Sequence, residues 1–418
     1  EDDNGVRRAC TQMASAGMAA LMVLARAPAA AVAAAVLPPR APAVSASLLT
    51  TRPTPPMGFN DWNELAARYP PWAGGVNESV VLSVAKAIVS LGLRDAGYTY
   101  INLDCGYSKG KTNSGKLLEV DDSKFPSGLP SLSKQITDMG LAFGIYSSGT
   151  HCCDGNVRLG MEQSDAKTFA GWNVTYVKYD DCGTTTESFT AMRVALKATA
   201  GPMYYSIHSP WTHKPTTGTK YGPDPAHSVD LANCWRTTND IKNNFSVVLD
   251  RAHTNDAFAH LSVPGHHNDP DMLEVGNGLT DPEGRTHFAL WCLMKAPLLI
   301  GTDITRASAA TVATLGNRRA IAVNQDSLGI QGRFVTSGDN WELWAGPLSG
   351  ACVAAVFVNT GSSTVSRDLS WAELGIKAGT PMSVVDVYSN TTRPGRSTGS
   401  VAVTVATEHD CAFLTLCP

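Results

Sequence analysis

Between Pro55 and Ile304 the chain alternates short apolar runs with segments of helical periodicity, and this rhythm restricts its fold more than any other feature. YTYINLD (98–104) follows the helix-like SVVLSVAKAIVSLGLRDAG. LAFGIYSS (141–148) follows PSLSKQITDMG, TYVKYDD (175–181) follows AKTFAGW, and PMYYSIH (202–208) follows FTAMRVALKATAG. FALWCLMKAPLLIGTDI (288–304) reads as a buried helix running into a strand. Strand and helix in strict turn, sustained over about 250 residues, predict a parallel sheet covered by helices. So many units favour α/β architecture of the closed (β/α)8 TIM-barrel type over an open sheet. Chemistry in such barrels sits where strands end, and Asp104, Tyr146, Asp180 and His208 all lie at ends of that kind.

Beyond Val323-Asn324-Gln325-Asp326 the pattern changes. RFVTSGDNWELWAGPL, ACVAAVFVNTG, TPMSVVDVYSN and VAVTVATEHDCAFLTL are β-like runs separated by Gly, Ser, Asn and Thr. Only SWAELG keeps helical character. The expectation is a C-terminal antiparallel β-sandwich. The expected division is a leader over 1–50, a catalytic barrel over 51–327 and the sandwich over 328–418.

The leader, MASAGMAALMVLARAPAAAVAAAVLPPRAPAVSAS, is apolar, Ala-rich and poor in acids, and it ends near the small residues Ala43-Val44-Ser45-Ala46. It reads as a signal peptide, with an organelle transit peptide as the alternative. Arg26 and Arg40 interrupt it, so no membrane span is expected. Ten cysteines permit a few disulfides, and Asn77, Asn173, Asn244 and Asn390 open N-x-S/T acceptor sequences. Secretion, or delivery to a vacuole or lysosome through the secretory route, is the expected destination. A net charge of −4 argues against nucleic acid or an anionic membrane surface as partner.

The stretch YVKYDDC (176–182) ends an apolar strand in charged groups. Ionised side chains are costly in an interior unless they are paired or used. Lys178 and Asp180, two apart on a strand, share a face. The ammonium is expected to keep Asp180 ionised, as a nucleophile requires. Cleavage of a glycosidic bond needs one such carboxylate and a second carboxyl group to protonate the leaving oxygen. Arg236 and Asp240 in WRTTND (235–240) would share a face if that loop were helical. His266 and His267 lie among acids, but neighbouring side chains on an extended segment point apart. A shared metal is therefore not expected; packing or hydrogen bonding near the barrel mouth is. Met272 reads as pocket wall or core.

PPMGFNDWN (55–63), INLDCGY (101–107), GIYSS (144–148), YVKYDDC (176–182), WRTTNDI (235–241), NDPDMLEVGN (268–277), ALWCLMKAPLLIGTDI (289–304) and VNQDSLGIQGR (323–333) occur in this order. Together they resemble glycoside hydrolase family 27, the α-galactosidase and α-N-acetylgalactosaminidase group, over roughly residues 53–418. The resemblance implies hydrolysis with retention of configuration through two displacements, with no metal and no organic cofactor. It implies Asp180 as nucleophile and Asp240 as acid/base. Trp62, Asp104, Tyr146, Lys178, Arg236 and Asp271 would line the sugar pocket. Asp181 would sit behind the site or in solvent. Cys182 would pair with Cys152 or Cys153. A carbohydrate with a terminal galactoside is the expected partner, and a homodimer is kept as an expectation.

Two departures bear on specificity. The family usually has Asp-Asp-Cys-Trp where this chain has Asp104-Cys105-Gly106-Tyr107, so one acid at the O4/O6 side of the sugar is replaced or shifted. A buried bond to a charged acceptor contributes roughly 1.5–3 kcal/mol, so a sugar without the CH2OH group, β-L-arabinopyranose, enters as an alternative substrate. In Tyr205-Ser206-Ile207-His208-Ser209-Pro210-Trp211, Ser209 stands near the place of a glutamate that reads the 2-hydroxyl in α-galactosidases. A serine there is the α-N-acetylgalactosaminidase pattern, which is a further alternative. A non-catalytic sugar-binding barrel is the competitor from another class, and the presence of both Asp180 and Asp240 argues against it.

Overall fold

The computed structural model describes residues 53–63, 75–110, 114–150, 155–208, 225–393 and 397–418. The expected leader, Cys152, Cys153 and Ser209 lie outside the described residues.

Eight short strands run in parallel: β1 (Met57–Asn60), β2 (Tyr100–Leu103), β3 (Ala142–Ser148), β4 (Val174–Asp180), β5 (Tyr204–Ile207), β6 (Cys234–Arg236), β7 (His267–Asp269) and β8 (Leu298–Ile300). Their order is β7-β6-β5-β4-β3-β2-β1-β8. The ring closes just past β7, where Leu273 bridges in parallel to Ile300. The helices expected before β2, β3, β4 and β5 form over Glu78–Ser90, Leu129–Asp138, Glu162–Gly171 and Thr186–Lys197. The helix Asp281–Leu293 before β8 opens with a capping box between Thr280 and Glu283, which satisfies donors that a helix start leaves free. Asn77 and Asn244, two of the sequon asparagines, cap the N-termini of helices.

Residues of one parity along each strand point into the barrel and those of the other parity toward the helices. On β4 the outward Tyr179 donates to Glu162 at 3.2 Å and packs edge-on against Phe189, both on covering helices. The inward set begins with Tyr176, stacked on Tyr204 of β5 at 5.3 Å. Space at this level is tight. A Cβ on Gly144 would lie 1.9 Å from the Asn102 amide oxygen, so β3 needs glycine there.

The C-terminal part is antiparallel: β9 (Arg333–Ser337), β10 (Trp341–Leu348), β11 (Cys352–Asn359), β12 (Val365–Ser370), β13 (Ser383–Asp386), β14 (Thr391–Thr392), β15 (Ser400–Val405) and β16 (Cys411–Cys417). Six strands order as β14-β13-β16-β11-β10-β9, and β12 pairs with β15 in a second sheet. β11 is apolar at nearly every position because both of its faces are covered. Ala354, Val356 and Val358 belong to the cluster continuous with the barrel, whereas Val353, Ala355 and Phe357 fill the sandwich core. Arg285 grips Asp410 with two bonds, at 2.6 and 3.1 Å, across the same junction. A disulfide joins Cys352 to Cys417 on the neighbouring strands β11 and β16.

SWAELG does not become a helix. Ser370 and Glu373 do exchange the bonds of a helix cap, with Ser370 N to Glu373 Oε2 at 3.0 Å and Glu373 N to Ser370 Oγ at 3.4 Å. Propagation stops because Gly375 turns into the left-handed region at φ 69°. A nucleus of one turn gains too few bonds to persist as a helix.

Candidate active site

The inward parity on the barrel strands delivers a row of polar side chains to the C-terminal mouth. Tyr176 in the core is followed on β4 by Lys178 and then Asp180. Asn102 leads to Asp104, Gly144 to Tyr146, Ser206 to His208, and Cys234 to Arg236. A cavity of about 440 Å³ opens there, lined by Trp62, Asp104, Tyr146, Lys178, Asp180, His208, Arg236, Asp240, Asp271 and Met272, among others. That volume lies within the usual range for small-molecule sites.

Asp180 is buried, and its carboxylate is anchored on one side. Oδ1 accepts from the Asp181 backbone N–H at 2.9 Å and lies 2.7 Å from His208 Nδ1. Burial by itself would raise its pKa. The His208 ring, the hydrogen bond to it and the Lys178 ammonium outweigh burial and hold the carboxyl below the ordinary aspartate range. For His208, burial and the Arg236 charge act to lower its proton affinity, but Asp180 and Asp181 prevail and raise it.

Lys178 does not bond Asp180 directly. Residues two apart on a strand stand about 6.6 Å from one another; the ammonium instead leans past β3 and meets Asp104 Oδ2, just beyond β2, at 2.8 Å. Its influence on Asp180 acts through space. Asp104 Oδ2 also accepts from Asn60 Nδ2 at 2.8 Å, and Oδ1 accepts from the Cys105 N–H at 2.8 Å. Lys178 lies 5.4 Å from the ring centre of Tyr146, a cation–π contact. Burial, then the charges of Asp180 and Asp104, push the Tyr146 phenol well above its ordinary range, so it stays a neutral hydroxyl.

Arg236 and Asp240 do meet, at 3.2 Å, but without a helix. The intervening residues bend at Thr238 and Asn239 and are held by bonds from Thr237 N to Asp269 O at 2.9 Å and from Thr238 Oγ1 to Pro270 O at 3.1 Å. Arg236 also pairs with Asp271 at 3.0 Å. Asp271 Oδ2 accepts from Ile241 N at 2.7 Å, and Arg251 donates to the Asp240 carbonyl at 2.9 Å. The backbone on both sides of Asp240 is thus tethered, while its side chain is 65% exposed. Burial and the Asp180 charge act to raise the Asp240 pKa, but Arg236, His208 and Lys178 bring it below the usual value.

Asp271 sits at φ 88°, in the left-handed region, a strained place for a residue with a side chain. Its surroundings enforce the conformation: Asp269 Oδ1 accepts its N–H at 2.8 Å and Trp291 Nε1 donates to its carbonyl at 2.7 Å. Its main observed contacts run to the protein, where it organises the Asp240 loop.

The departure at Asp104-Cys105 takes a definite form. Cys105 is disulfide-bonded and lines the cavity, so it offers no carboxylate. Asp61 approaches from β1, but its Oδ1 accepts from the Asp104 N–H at 2.8 Å behind the wall. Burial and then the Asp104 charge push the Asp61 pKa well up, favouring its neutral form. Cys182 is disulfide-bonded too; its expected partners Cys152 and Cys153 fall outside the described residues. Asp180, Asp181 and Cys182 hold ligand atoms within 4.8 Å of one another, but a disulfide sulfur is not a thiolate ligand. Asp181 is half-buried at the cavity wall and contributes its N–H to Asp180.

The two histidines are placed differently from the expectation. His266 and His267 stand at the start of β7, away from its mouth end. His266 Nδ1 lies 3.1 Å from the Ala232 carbonyl, and its ring packs on Trp235. Met272 is pocket wall.

Residues 54–326 match the family model described as alpha galactosidase A, and residues 338–416 match that of the alpha galactosidase C-terminal beta sandwich domain. The chain belongs to the α-galactosidase family. Alpha-galactosidase 2 of Arabidopsis thaliana is 39% identical over 348 residues, covering 81% of this chain and 84% of that protein. The crystal structure of α-galactosidase I from Mortierella vinacea superposes with a TM-score of 0.78 at 29% identity, covering 87% of this chain and 96% of that one. A β-L-arabinopyranosidase of the same family from Geobacillus stearothermophilus has a TM-score of 0.75, covering 90% of this chain and 98% of that one. At 21% identity it shares the fold alone.

Within this α-galactosidase-family barrel, Trp62, Asp104, Tyr146, Lys178, Asp180, Arg236, Asp240 and Asp271 come together around one cavity. The sequence marks His208 as a strand end without a role, and Asn60 and Asp61 carry no expectation. For Asn60 and His208 the signal is the same inward parity, Asn60 with Trp62 and Ser206 with His208, continued past the apolar part of each strand; Asp61, of the opposite parity, carries no such signal.

Proposed function

We propose that the chain is a retaining α-galactosidase, releasing terminal α-D-galactose by double displacement. The observation that carries this reading is one cavity lined by two aspartates in unlike settings. Asp180 is buried and kept ionised, and Asp240 is exposed on a tethered loop. Asp180 Oδ1 is occupied by two donors, so Oδ2 is the oxygen that attacks the anomeric carbon. Asp240 protonates the departing oxygen. The negative charge of Asp180 raises the proton affinity of Asp240 in the first step. Once Asp180 is esterified that influence disappears, and Asp240 becomes the better base for activating water. A bound sugar that covers Asp240 raises its pKa by desolvation, against the lowering by Arg236, His208 and Lys178. Lys178 with Asp104, and Arg236 with Asp271, supply polar groups for ring hydroxyls, and Trp62 supplies an apolar wall.

The disulfide Cys352–Cys417 and the bonded Cys105 and Cys182 fit an oxidising compartment and so a secretory destination. The catalytic unit is taken as 51–327 and the sandwich as 328–418.

The reading is tested with 4-nitrophenyl α-D-galactoside, β-L-arabinopyranoside and α-N-acetylgalactosaminide compared by kcat/KM. The galactoside is expected to lead by at least about tenfold, since lost contacts to one sugar substituent cost of the order of 1–3 kcal/mol. A faster arabinopyranoside would move the assignment to that activity, and no turnover of any of the three would leave a sugar-binding barrel.

A further inference from the structure

His208 is the side chain that meets Asp180 directly, and the reading above gives it no task. Its ring is buried at the end of β5, its Nδ1 is 2.7 Å from Asp180 Oδ1, and it lines the same cavity. The backbone fixes this approach, because His208 N bonds Tyr179 O at 3.1 Å and so locks the end of β5 beside the nucleophile. The charged groups that influence the ring are Asp180 and Asp181 from β4 and Arg236 from β6, and the ring in turn acts on Asp240 of the following loop. Asp180 is the one it bonds.

We propose that His208 is a positioning residue that speeds the second displacement by stabilising Asp180 as the leaving carboxylate. This rests on Asp180 being the nucleophile. In the first displacement Asp180 Oδ2 gives an electron pair to the anomeric carbon, the bond to the leaving oxygen breaks, and Asp240 protonates that oxygen. Negative charge is lost from Asp180, so a donor at Oδ1 does not help this step. In the second, water attacks the anomeric carbon, its proton passes to Asp240, and the bond to Asp180 breaks with its electron pair returning to the carboxylate. Charge now develops on Asp180, and a donor already aimed at Oδ1 stabilises it without reorganisation. His208 thus favours breakdown of the covalent intermediate over its formation.

Two variants separate this role from a structural one. His208→Leu removes the ring donor. His208→Asn keeps a neutral donor close to the position of Nδ1. Each is assayed with α-galactosyl fluoride, whose good leaving group makes the first step fast, and the fraction of enzyme carrying a hexosyl adduct at steady state is read by intact-protein mass. In His208→Leu, kcat is expected to fall about tenfold to a hundredfold, the range for loss of one charge-assisted bond. KM should fall with it, kcat/KM should stay within about threefold because it reports the first step, and the adduct should accumulate. His208→Asn should lie between Leu and wild type, and remains informative if the Leu variant does not fold. A kcat/KM that drops as far as kcat, with no gain in adduct in either variant, would overturn the proposal. Failure of the underlying reading looks different: the wild-type adduct itself would map to a residue other than Asp180.

Discussion

Asp180→Asn is expected to reduce turnover of 4-nitrophenyl α-D-galactoside by at least about 10⁴-fold, the scale seen when a covalent nucleophile is removed, with the far-ultraviolet circular dichroism unchanged. The amide keeps the size of the carboxylate but cannot form the glycosyl ester. The fold should survive for a local reason. The amide oxygen can still accept from the Asp181 N–H and from His208, the two donors on Oδ1. The covering residues of β4, such as Tyr179 against Glu162 and Phe189, lie on the other face and do not sense the change. The substitution also removes a charge that Lys178 and His208 help to stabilise, and Lys178 retains Asp104 as its partner. A variant with near-wild-type rates would refute the assignment of the nucleophile.

Asp240→Asn should cost about 10²–10⁴-fold on substrates with poor leaving groups, as expected for loss of a general acid. It should cost far less on α-galactosyl fluoride in its first step, because fluoride needs little protonic help to depart. The second step remains slow in this variant, since no base activates water. Azide, which needs no base, should restore turnover of activated substrates by attacking the esterified sugar and giving α-galactosyl azide. The structure makes this a clean substitution. The Asp240 side chain is mostly exposed, and the backbone around it is tethered from outside by Arg251 and by Asp271 through Ile241 N. Equal losses on all leaving groups, with no azide product, would count against its acid/base role.

Much of this site was legible because strand parity is a strong constraint. Once Tyr176 is known to face the barrel core, Lys178 and Asp180 must face the same way, and β4 carries them up to the mouth. The same reasoning places Asp104 above Asn102 and Arg236 above Cys234. Partners were less legible, because they depend on the register between strands. Lys178 is expected beside Asp180 but reaches past β3 to Asp104, 74 residues earlier. His208 meets Asp180 across 28 residues through the pairing of β4 with β5. Arg236 reaches Asp240 without the helix on which their shared face is conditional, since bonds to Asp269 and Pro270 hold the intervening residues. SWAELG shows the converse in the sandwich: its helical character extends only to the Ser370–Glu373 cap bonds, and Gly375 and the pull of the sheet decide the outcome. β12, VSRDLS, was not among the expected strands. It alternates charged and exposed residues with few apolar ones, and it is a strand because β15 pairs with it along its length.

The most direct test of the central claim is covalent capture of the intermediate. A 2-fluorinated galactosyl donor with a strong leaving group destabilises both oxocarbenium-like transition states, yet its leaving group lets the first step proceed, so the ester persists long enough for proteolysis and mass spectrometry. The label is predicted on Asp180 within YVKYDDC, and absent in Asp180→Asn. A label on any other residue, or a product released with inverted anomeric configuration, would contradict the account.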